Sequence, residues 1–88
     1  MSKSKKSTPN ARLHSKTLKA AAGHCDDVRK RIVQERKAKG LTSAYVAKQM
    51  GISRPFYTQL EAGTRRMDLV YFLAICQVLQ AEPSEMIK

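Results

Sequence analysis

Residues 40–63 read GLTSAYVAKQMGISRPFYTQLEAG, and this stretch determines the fold. Thr42 and Ser53 are residue types that cap helix N-termini, and each precedes a short run with apolar positions at helical spacing. Gly51 separates the two runs, where a tight reversal needs a residue that adopts positive φ at low cost. The stretch therefore predicts two short helices joined by a tight turn.

The flanking residues continue the helical pattern. Gly40 ends a preceding helix whose first turn carries Asp26 and Asp27, and Asp68 caps a following helix. No alternation typical of β-strands and no internal repeat is present. The predicted helices span about 27–39, 43–50, 54–62, 69–80 and a last turn from Ser84. The sequence thus predicts an all-α fold, a compact bundle of four to five short helices.

The N-terminal residues have a different composition. Residues 1–25 contain Lys and Arg but no Asp or Glu, and residues 1–10 are rich in Ser and Lys. This composition is typical of a flexible basic arm, in which residues 11–22 form a short helix that Gly23 ends. We therefore predict an arm at 1–25 and a folded domain at 26–88. The arm is either a solubilising tail or a segment that contacts a polyanion.

The charge balance narrows the class of partner. The 88 residues carry 17 Lys and Arg against 7 Asp and Glu, a net charge of +10. Such an excess favours a polyanion, either nucleic acid or an acidic membrane surface. No apolar run is long enough to span a membrane, no signal-peptide core follows the basic start, and two cysteines make no disulfide framework. We expect a cytoplasmic protein that does not bind membranes.

The chain offers little for catalysis or metal binding. His24, Cys25 and Asp26 are adjacent, but one short stretch cannot complete a metal coordination shell. No Ser/His/Asp grouping, paired carboxylates or phosphate-binding glycine loop is present. We expect a non-enzyme with no metal, cofactor or small-molecule ligand.

A longer stretch, GLTSAYVAKQMGISRPFYTQLEAGTRRMDLVYFLAICQVL at 40–79, resembles the Cro/cI-type helix-turn-helix domain of phage repressors and xenobiotic-response regulators. The resemblance covers about residues 28–87. Its most specific positions are Ala47, Gly51, Ser53, Leu60, Glu61 and Gly63. It implies a DNA-binding domain whose helix at 54–62 lies in the major groove.

The helix at 54–62 has two different faces. At about 100° per residue, Tyr57 and Leu60 define its buried side, with Phe56 at the margin, near enough to DNA to meet a thymine methyl group. The opposite side is polar and carries no acid. The base-reading positions that the resemblance implies fall on this side, at Arg54, Pro55, Thr58 and Gln59. Arg can bond guanine through two hydrogen bonds, and Gln can do the same with adenine.

Further positions follow from the resemblance. The residues implied to contact the DNA backbone are Thr42, Ser43, Ser53, Thr64, Arg65 and Arg66. Arg36 and Glu61 stand where the family commonly has an ion pair between the first helix and the recognition helix. Pro55 departs from the family's pattern and puts in doubt where the helix begins, because proline disfavours helical geometry at Arg54.

In the helix at 69–80, Leu69, Phe72, Leu73, Cys76 and Leu79 form the predicted core stripe. A second stripe, Tyr71, Ile75 and Val78, is predicted to be exposed, either as a dimer interface or as packing for another segment.

These features predict a bacterial or phage-encoded transcription regulator, a repressor that binds a palindromic operator in double-stranded DNA as a homodimer. The alternative is the antitoxin of a toxin–antitoxin pair, which binds a toxin protein and represses its own operon. RNA binding is a weaker alternative, because the sequence predicts no sheet with exposed aromatic residues for stacking bases.

Overall fold

The computed structural model describes the backbone of residues 11–88 and the side chains from Lys16 onward. It contains five helices, which are α1 (Ala11–Ala38), α2 (Ser43–Met50), α3 (Arg54–Ala62), α4 (Leu69–Leu79) and α5 (Pro83–Met86). No strand occurs between residues 11 and 88, so the predicted all-α fold is confirmed. The first ten residues of the predicted arm lie outside the described residues, and the boundary at 25/26 remains a prediction.

The capping and turn residues predicted for α2 and α3 have these roles in the structure. The Thr42 hydroxyl accepts a hydrogen bond from the Tyr45 N–H at 3.0 Å, and the Ser53 hydroxyl accepts one from Phe56 at 3.2 Å. Gly51 has φ 76°, so the chain reverses through a left-handed residue. Asp68 occupies the N-cap position of α4, although its side chain makes no capping hydrogen bond. The hydroxyl caps of Thr42 and Ser53 therefore set the starts of α2 and α3, and the backbone conformation of Gly51 sets the end of α2.

A single core lies between the helices. α2 packs on α3 and α4, while α1 packs on α3 and α5. Ala47 is buried on α2, as expected for the small residue in the family's pattern. The buried apolar residues are Val28, Ile32, Val46, Ala47, Tyr57, Leu60, Phe72, Ile75, Cys76, Leu79 and Met86. Burial raises the pKa of the Cys76 thiol, and the nearby Glu82 carboxylate raises it further.

Helix α1 is longer than predicted. The short helix expected at 11–22 and the helix expected at 27–39 form one helix of 28 residues that runs through Gly23. A glycine inside a helix costs about 1 kcal/mol relative to alanine, and the preceding residues Ala20, Ala21 and Ala22 are the best helix formers. Gly23 therefore does not end the helix, and Asp26 lies in its middle rather than in a first turn.

The added length leaves part of α1 without packing. Every residue from 16 to 27 is exposed, and the described chain measures 49 × 24 × 21 Å. The first half of α1 thus projects from the globular part, in which Val28 is the first buried residue of the helix.

The buried face of α4 also differs from the prediction. Ile75, predicted to be exposed, is fully buried, whereas Leu69 and Leu73, predicted to be buried, are 69% and 40% exposed. The side chains of Tyr71 and Val78 are half-buried and pack against the core. Because α4 is apolar on nearly all sides, periodicity could not select its inner face. The stripe predicted as a dimer interface is therefore not an exposed surface.

Polar side chains of α1 and of Lys39, which follows it, hold the later helices in place. Lys39 donates to the carbonyl of Leu79 at the end of α4, and Arg31 donates to the carbonyl of Met86 at 3.1 Å. The His24 ring nitrogen Nε2 lies 2.9 Å from the carbonyl oxygen of Ile87.

Within the described residues, no helix has the length and apolar character needed to cross a membrane.

Candidate nucleic-acid interface

The turn between α2 and α3 fixes how the two helices are joined. The Gly51 N–H donates to the carbonyl of Lys48, and the Ile52 N–H donates to the carbonyl of Ala47, both at 3.1 Å. These two bonds satisfy carbonyl groups that the end of α2 would otherwise leave unpaired. Ser53 then begins α3 directly. Helix α3 is thereby held rigidly to α2, as a helix-turn-helix requires.

Helix α3 begins at Arg54, so Pro55 lies in its first turn. Proline lacks an N–H, but an N–H at this position would have no partner within the helix. The next two N–H groups are satisfied, because Phe56 donates to the Ser53 hydroxyl and Tyr57 donates to the Ser53 carbonyl at 3.0 Å. Pro55 is therefore compatible with a helix that starts at the predicted residue.

The two faces of α3 differ in exposure to solvent, as predicted. Tyr57 and Leu60 are fully buried in the core. The opposite side is open to solvent, with Arg54, Pro55 and Thr58 exposed and Gln59 partly exposed. The four residues of this open side, Arg54, Pro55, Thr58 and Gln59, line one shallow depression of the surface. The structure thus brings the four predicted base-reading residues together on one face.

The loop after α3 holds an arrangement that the sequence did not reveal. The Arg65 guanidinium lies over the Phe56 ring, with 4.2 Å between the guanidinium carbon and the ring centroid. Phe56 in turn meets the edge of Tyr71, with ring centroids 5.4 Å apart. Arg65 also donates through Nε to the Gln59 side-chain oxygen at 3.0 Å. Phe56 therefore packs between Tyr71 and Arg65, and the predicted position beside a thymine methyl group is not supported by this packing.

This arrangement orients two of the polar groups. The Gln59 oxygen is held by Arg65, and the amide nitrogen on the same side chain is a donor suited to a base acceptor. The bond to Gln59 uses the Nε of Arg65, which leaves its two terminal nitrogens as donors for a phosphate. The predicted phosphate ligand Arg65 thus also positions a predicted base-reading residue.

The residues predicted to contact the DNA backbone lie at two places. Thr42, Ser43 and Ser53 stand at the N-termini of α2 and α3, where free N–H groups and the helix dipole favour an anion. Thr64, Arg65 and Arg66 follow α3 and are exposed. Thr42 and Ser53 use an oxygen lone pair for capping, and their hydroxyl hydrogens can still donate to phosphate.

The predicted ion pair between Arg36 and Glu61 is present beneath this surface. Arg36 donates through Nε to Glu61 at 2.7 Å and through a second nitrogen at 3.2 Å, and it also donates to the carbonyl of Leu41 at 2.9 Å. The Tyr57 hydroxyl donates to the same Glu61 carboxylate. The hydrogen bond with Glu61 raises the pKa of Arg36, while burial and the Glu61 carboxylate raise the pKa of Tyr57. This three-residue cluster ties α1 to the last turn of α3.

A comparison with known families agrees with this geometry. A family model described as helix-turn-helix, of the Cro/C1 type, matches residues 32–86. The chain belongs to the Cro/C1-type helix-turn-helix family. A search of curated proteins and a search of solved structures each gave no significant match.

Membership of this family supports a DNA-binding transcription regulator and double-stranded DNA as the partner. All the site residues predicted from the sequence lie within the matched range. Residues 11–31 of α1 lie outside it, so this helix-turn-helix protein carries the projecting part of α1 in addition to the family domain.

Proposed function

We propose that this helix-turn-helix protein is a repressor that binds a short palindromic DNA site as a homodimer, with α3 in the major groove. One observation carries the proposal: Arg54, Pro55, Thr58 and Gln59 share the open face of α3, while the opposite face is fixed in the core. A rigid helix with such a face can present side chains to base edges at a defined depth. The protein then acts by binding rather than by catalysis.

Two of these side chains have the chemistry to recognise bases. Arg54 can donate two hydrogen bonds to a guanine, and Gln59 can bond an adenine through its amide. The contact with Arg65 supports the assignment of Gln59, because an amide held in one orientation loses less conformational freedom on binding. Thr58 and Pro55 lie beside them and can contact a thymine methyl group.

The phosphate contacts are assigned to the surfaces on either side of α3. The N-termini of α2 and α3, with Thr42, Ser43 and Ser53, offer backbone N–H groups and hydroxyl groups. On the other side, Arg65 and Arg66 add charge beside Thr64. Such contacts set the register of the protein on DNA and carry no sequence information themselves.

In-vitro selection of bound DNA tests the base-reading assignment. We expect Arg54→Ala and Gln59→Ala each to relax the preference at one position per half-site, by about 1–3 kcal/mol in discrimination. Gln77→Ala is the matched control, because Gln77 is exposed on α4. If both variants select the same site as the parent protein, the base-reading assignment is wrong.

Arg66→Ala distinguishes a phosphate contact from a base contact. It should weaken binding to all sequences by a similar factor and lower the slope of log affinity against log salt by about 1. A change in the selected sequence would instead place Arg66 at a base edge.

Repression follows where the bound site overlaps a promoter, because a protein in the groove excludes the polymerase. A reporter gene placed behind the selected site tests this step, with Arg54→Ala as the variant that should restore expression. The family match does not favour the toxin-binding alternative.

A further inference from the structure

Arg65 is bonded to Gln59 through both its backbone and its side chain. The Arg65 N–H donates to the Gln59 carbonyl at 3.3 Å, and Nε of the same residue donates to the Gln59 side-chain oxygen at 3.0 Å. The N–H groups of Gly63 and Thr64 donate to the same carbonyl, at 3.0 and 3.1 Å. The loop after α3 therefore turns back onto Gln59, which places the Arg65 side chain beside the Gln59 amide.

Two aromatic side chains support the Arg65 guanidinium. Its central carbon lies 4.2 Å from the centroid of the Phe56 ring, a distance at which a guanidinium is attracted to an aromatic face. The Phe56 ring packs against Tyr71 of α4 in a T-shaped arrangement, and both rings are half-buried against the core. Phe56 and Gln59 are three positions apart on α3, so they are neighbours on the helix surface. A line of contacts therefore connects the core, through the two rings and Arg65, to Gln59.

The chemistry of the guanidinium decides which end of the Gln59 amide it meets. All nitrogens of a guanidinium donate hydrogen bonds and none accepts one, so the atom facing Nε is the amide oxygen. The amide nitrogen is then the group that Gln59 has left for DNA, and it donates two hydrogen bonds. Arg65 adds a positive charge and the N–H donors of its two terminal nitrogens. The two side chains together form a cationic group that is rich in donors.

The four bases differ in what they present to such a group. In the major groove, guanine presents two acceptors, N7 and O6, whereas adenine presents the acceptor N7 beside its N6 amino group, which is a donor. Thymine presents one acceptor beside a methyl group, and cytosine presents a donor. A glutamine with a free oxygen can accept from the adenine amino group while its nitrogen donates to N7. Guanine is the base that best matches a group of donors.

We propose that Gln59 and Arg65 recognise guanine as one unit. Phe56 and Tyr71 are positioning residues for this unit, because they hold the Arg65 guanidinium against the Gln59 oxygen. An adenine amino group that approached the second lone pair of this oxygen would bring its partly positive hydrogens near the guanidinium, and like charges repel. The O6 of guanine is attracted by the same charge. The inference rests on the proposed function, because it names the base that α3 recognises through Gln59.

The position of the pair on the surface fits this role. Gln59 lines the open depression of α3 together with Arg54 and is partly exposed, while Arg65 is exposed. The terminal nitrogens of Arg65 can still donate to a phosphate, so the pairing with Gln59 is compatible with the predicted backbone contact. Because Arg54 also favours guanine, the half-site should contain guanine at both positions.

In-vitro selection with Arg65→Ala tests the inference. Gln59→Ala first identifies the position that Gln59 recognises, as the one whose preference this variant removes. We expect the parent protein to select guanine there and Arg65→Ala to select adenine, because the freed amide oxygen can accept from the adenine amino group. Competition binding with duplexes that differ at this base pair should show a change in the ratio of guanine to adenine affinity of roughly tenfold or more.

Arg66→Ala is the matched control, because it removes the same charge at the next position. Both variants should bind DNA more weakly, but Arg66→Ala should keep guanine at the position that Gln59 recognises. A parent protein that selects adenine at this position, or an Arg65→Ala protein that still selects guanine there, overturns the inference.

A pair of variants at Phe56 tests the role of the rings. Phe56→Leu removes the ring that the guanidinium contacts, and it should lower the ratio of guanine to adenine affinity. Phe56→Tyr keeps a ring at this position, and its ratio should stay within about twofold of the parent's. Circular dichroism verifies that both variants fold. A folded Phe56→Leu protein with the parent's ratio would show that the rings do not position Arg65.

The selection experiments also separate this inference from the proposed function. If Gln59→Ala leaves the selected site unchanged, Gln59 recognises no base and the base-reading assignment itself fails. If Gln59→Ala relaxes one position that is adenine in the parent's site, or that does not respond to Arg65→Ala, only the guanine-recognising unit is rejected. Recognition of DNA by α3 then stands.

Discussion

At the scale of single residues, Glu61 accepts hydrogen bonds from two other side chains. Its carboxylate accepts two bonds from Arg36 and one from Tyr57, and the side chains of Arg36 and Glu61 are only 12% and 11% exposed. A pair this far removed from water is strong only while all its members are present, since either charge alone is poorly solvated. Glu61 is thus the residue that orients the recognition helix against α1.

Glu61→Ala should lower the free energy of unfolding by about 3 kcal/mol, because it leaves the Arg36 charge without its counter-charge and the Tyr57 hydroxyl without an acceptor. Urea denaturation followed by circular dichroism measures this. Glu85→Ala removes an exposed ion pair with Lys88 and serves as the control, with little expected change. A Glu61→Ala protein as stable as that control would show that the cluster contributes nothing to the fold.

Tyr57 gives the protein a pH-dependent stability. Its pKa lies above the usual 10.0, because burial disfavours the phenolate and the hydroxyl donates to Glu61. Between pH 10 and 11 the unfolded chain loses this proton while the folded chain keeps it, so stability falls as pH rises. We expect the parent protein to lose about 1 kcal/mol more than Tyr57→Phe over this interval. Unfolding at both pH values measures the difference, and Tyr45→Phe, at an exposed tyrosine, should behave like the parent.

At the scale of elements, two glycines have opposite roles. Gly51 has φ 76° in the turn, whereas Gly23 lies inside α1, and an added Cβ would meet no atom within 4 Å at either position. Gly51→Ala should therefore destabilise the protein by about 1–2 kcal/mol through backbone strain alone. Gly23→Ala should raise the helix content of α1, with a gain of about 0.5–1 kcal/mol. Thermal unfolding and far-ultraviolet circular dichroism measure both, and a Gly51→Ala protein as stable as the parent would contradict the role given to the turn.

The elements that could be predicted from the sequence are those set by nearby residues. The bounds of α2 and α3 depend on Thr42, Gly51 and Ser53, whose effects reach only a few positions along the chain. The length of α1 could not be predicted from Gly23, because a modest local penalty competes with the preference of its neighbours. The inner face of α4 could not be predicted either, since tertiary packing chooses among apolar residues that all fit the pattern.

The features of the candidate site can likewise be divided into those that could be predicted from the sequence and those that could not. The open face of α3 follows from its own periodicity, and the pair of Arg36 with Glu61 followed from the family resemblance. The contact of Arg65 with Phe56 and Gln59 could not be predicted, because it depends on the path of the loop after Gly63. An arginine following an aromatic residue by nine positions is not by itself a signal.

At the scale of the whole molecule, the net charge of +10 should dominate the affinity for DNA. Each phosphate that is neutralised releases bound counterions, so affinity falls steeply as salt rises. With about six phosphate contacts, affinity should fall on the order of 10³-fold between 50 and 200 mM salt. Fluorescence anisotropy with the selected site at a series of salt concentrations measures the slope. An affinity that does not depend on salt would rule out phosphate contacts as a main source of binding.

The cluster of Arg36, Tyr57 and Glu61 also constrains how related sequences can diverge. A lineage that replaces Glu61 alone passes through a protein in which the largely buried Arg36 has no counter-charge, so such single changes should be eliminated by selection. Replacing all three positions by apolar residues of similar volume removes the buried charges together and need not weaken the fold. Natural relatives should therefore carry the three polar residues as a set or lack them as a set, and mixed combinations should be rare.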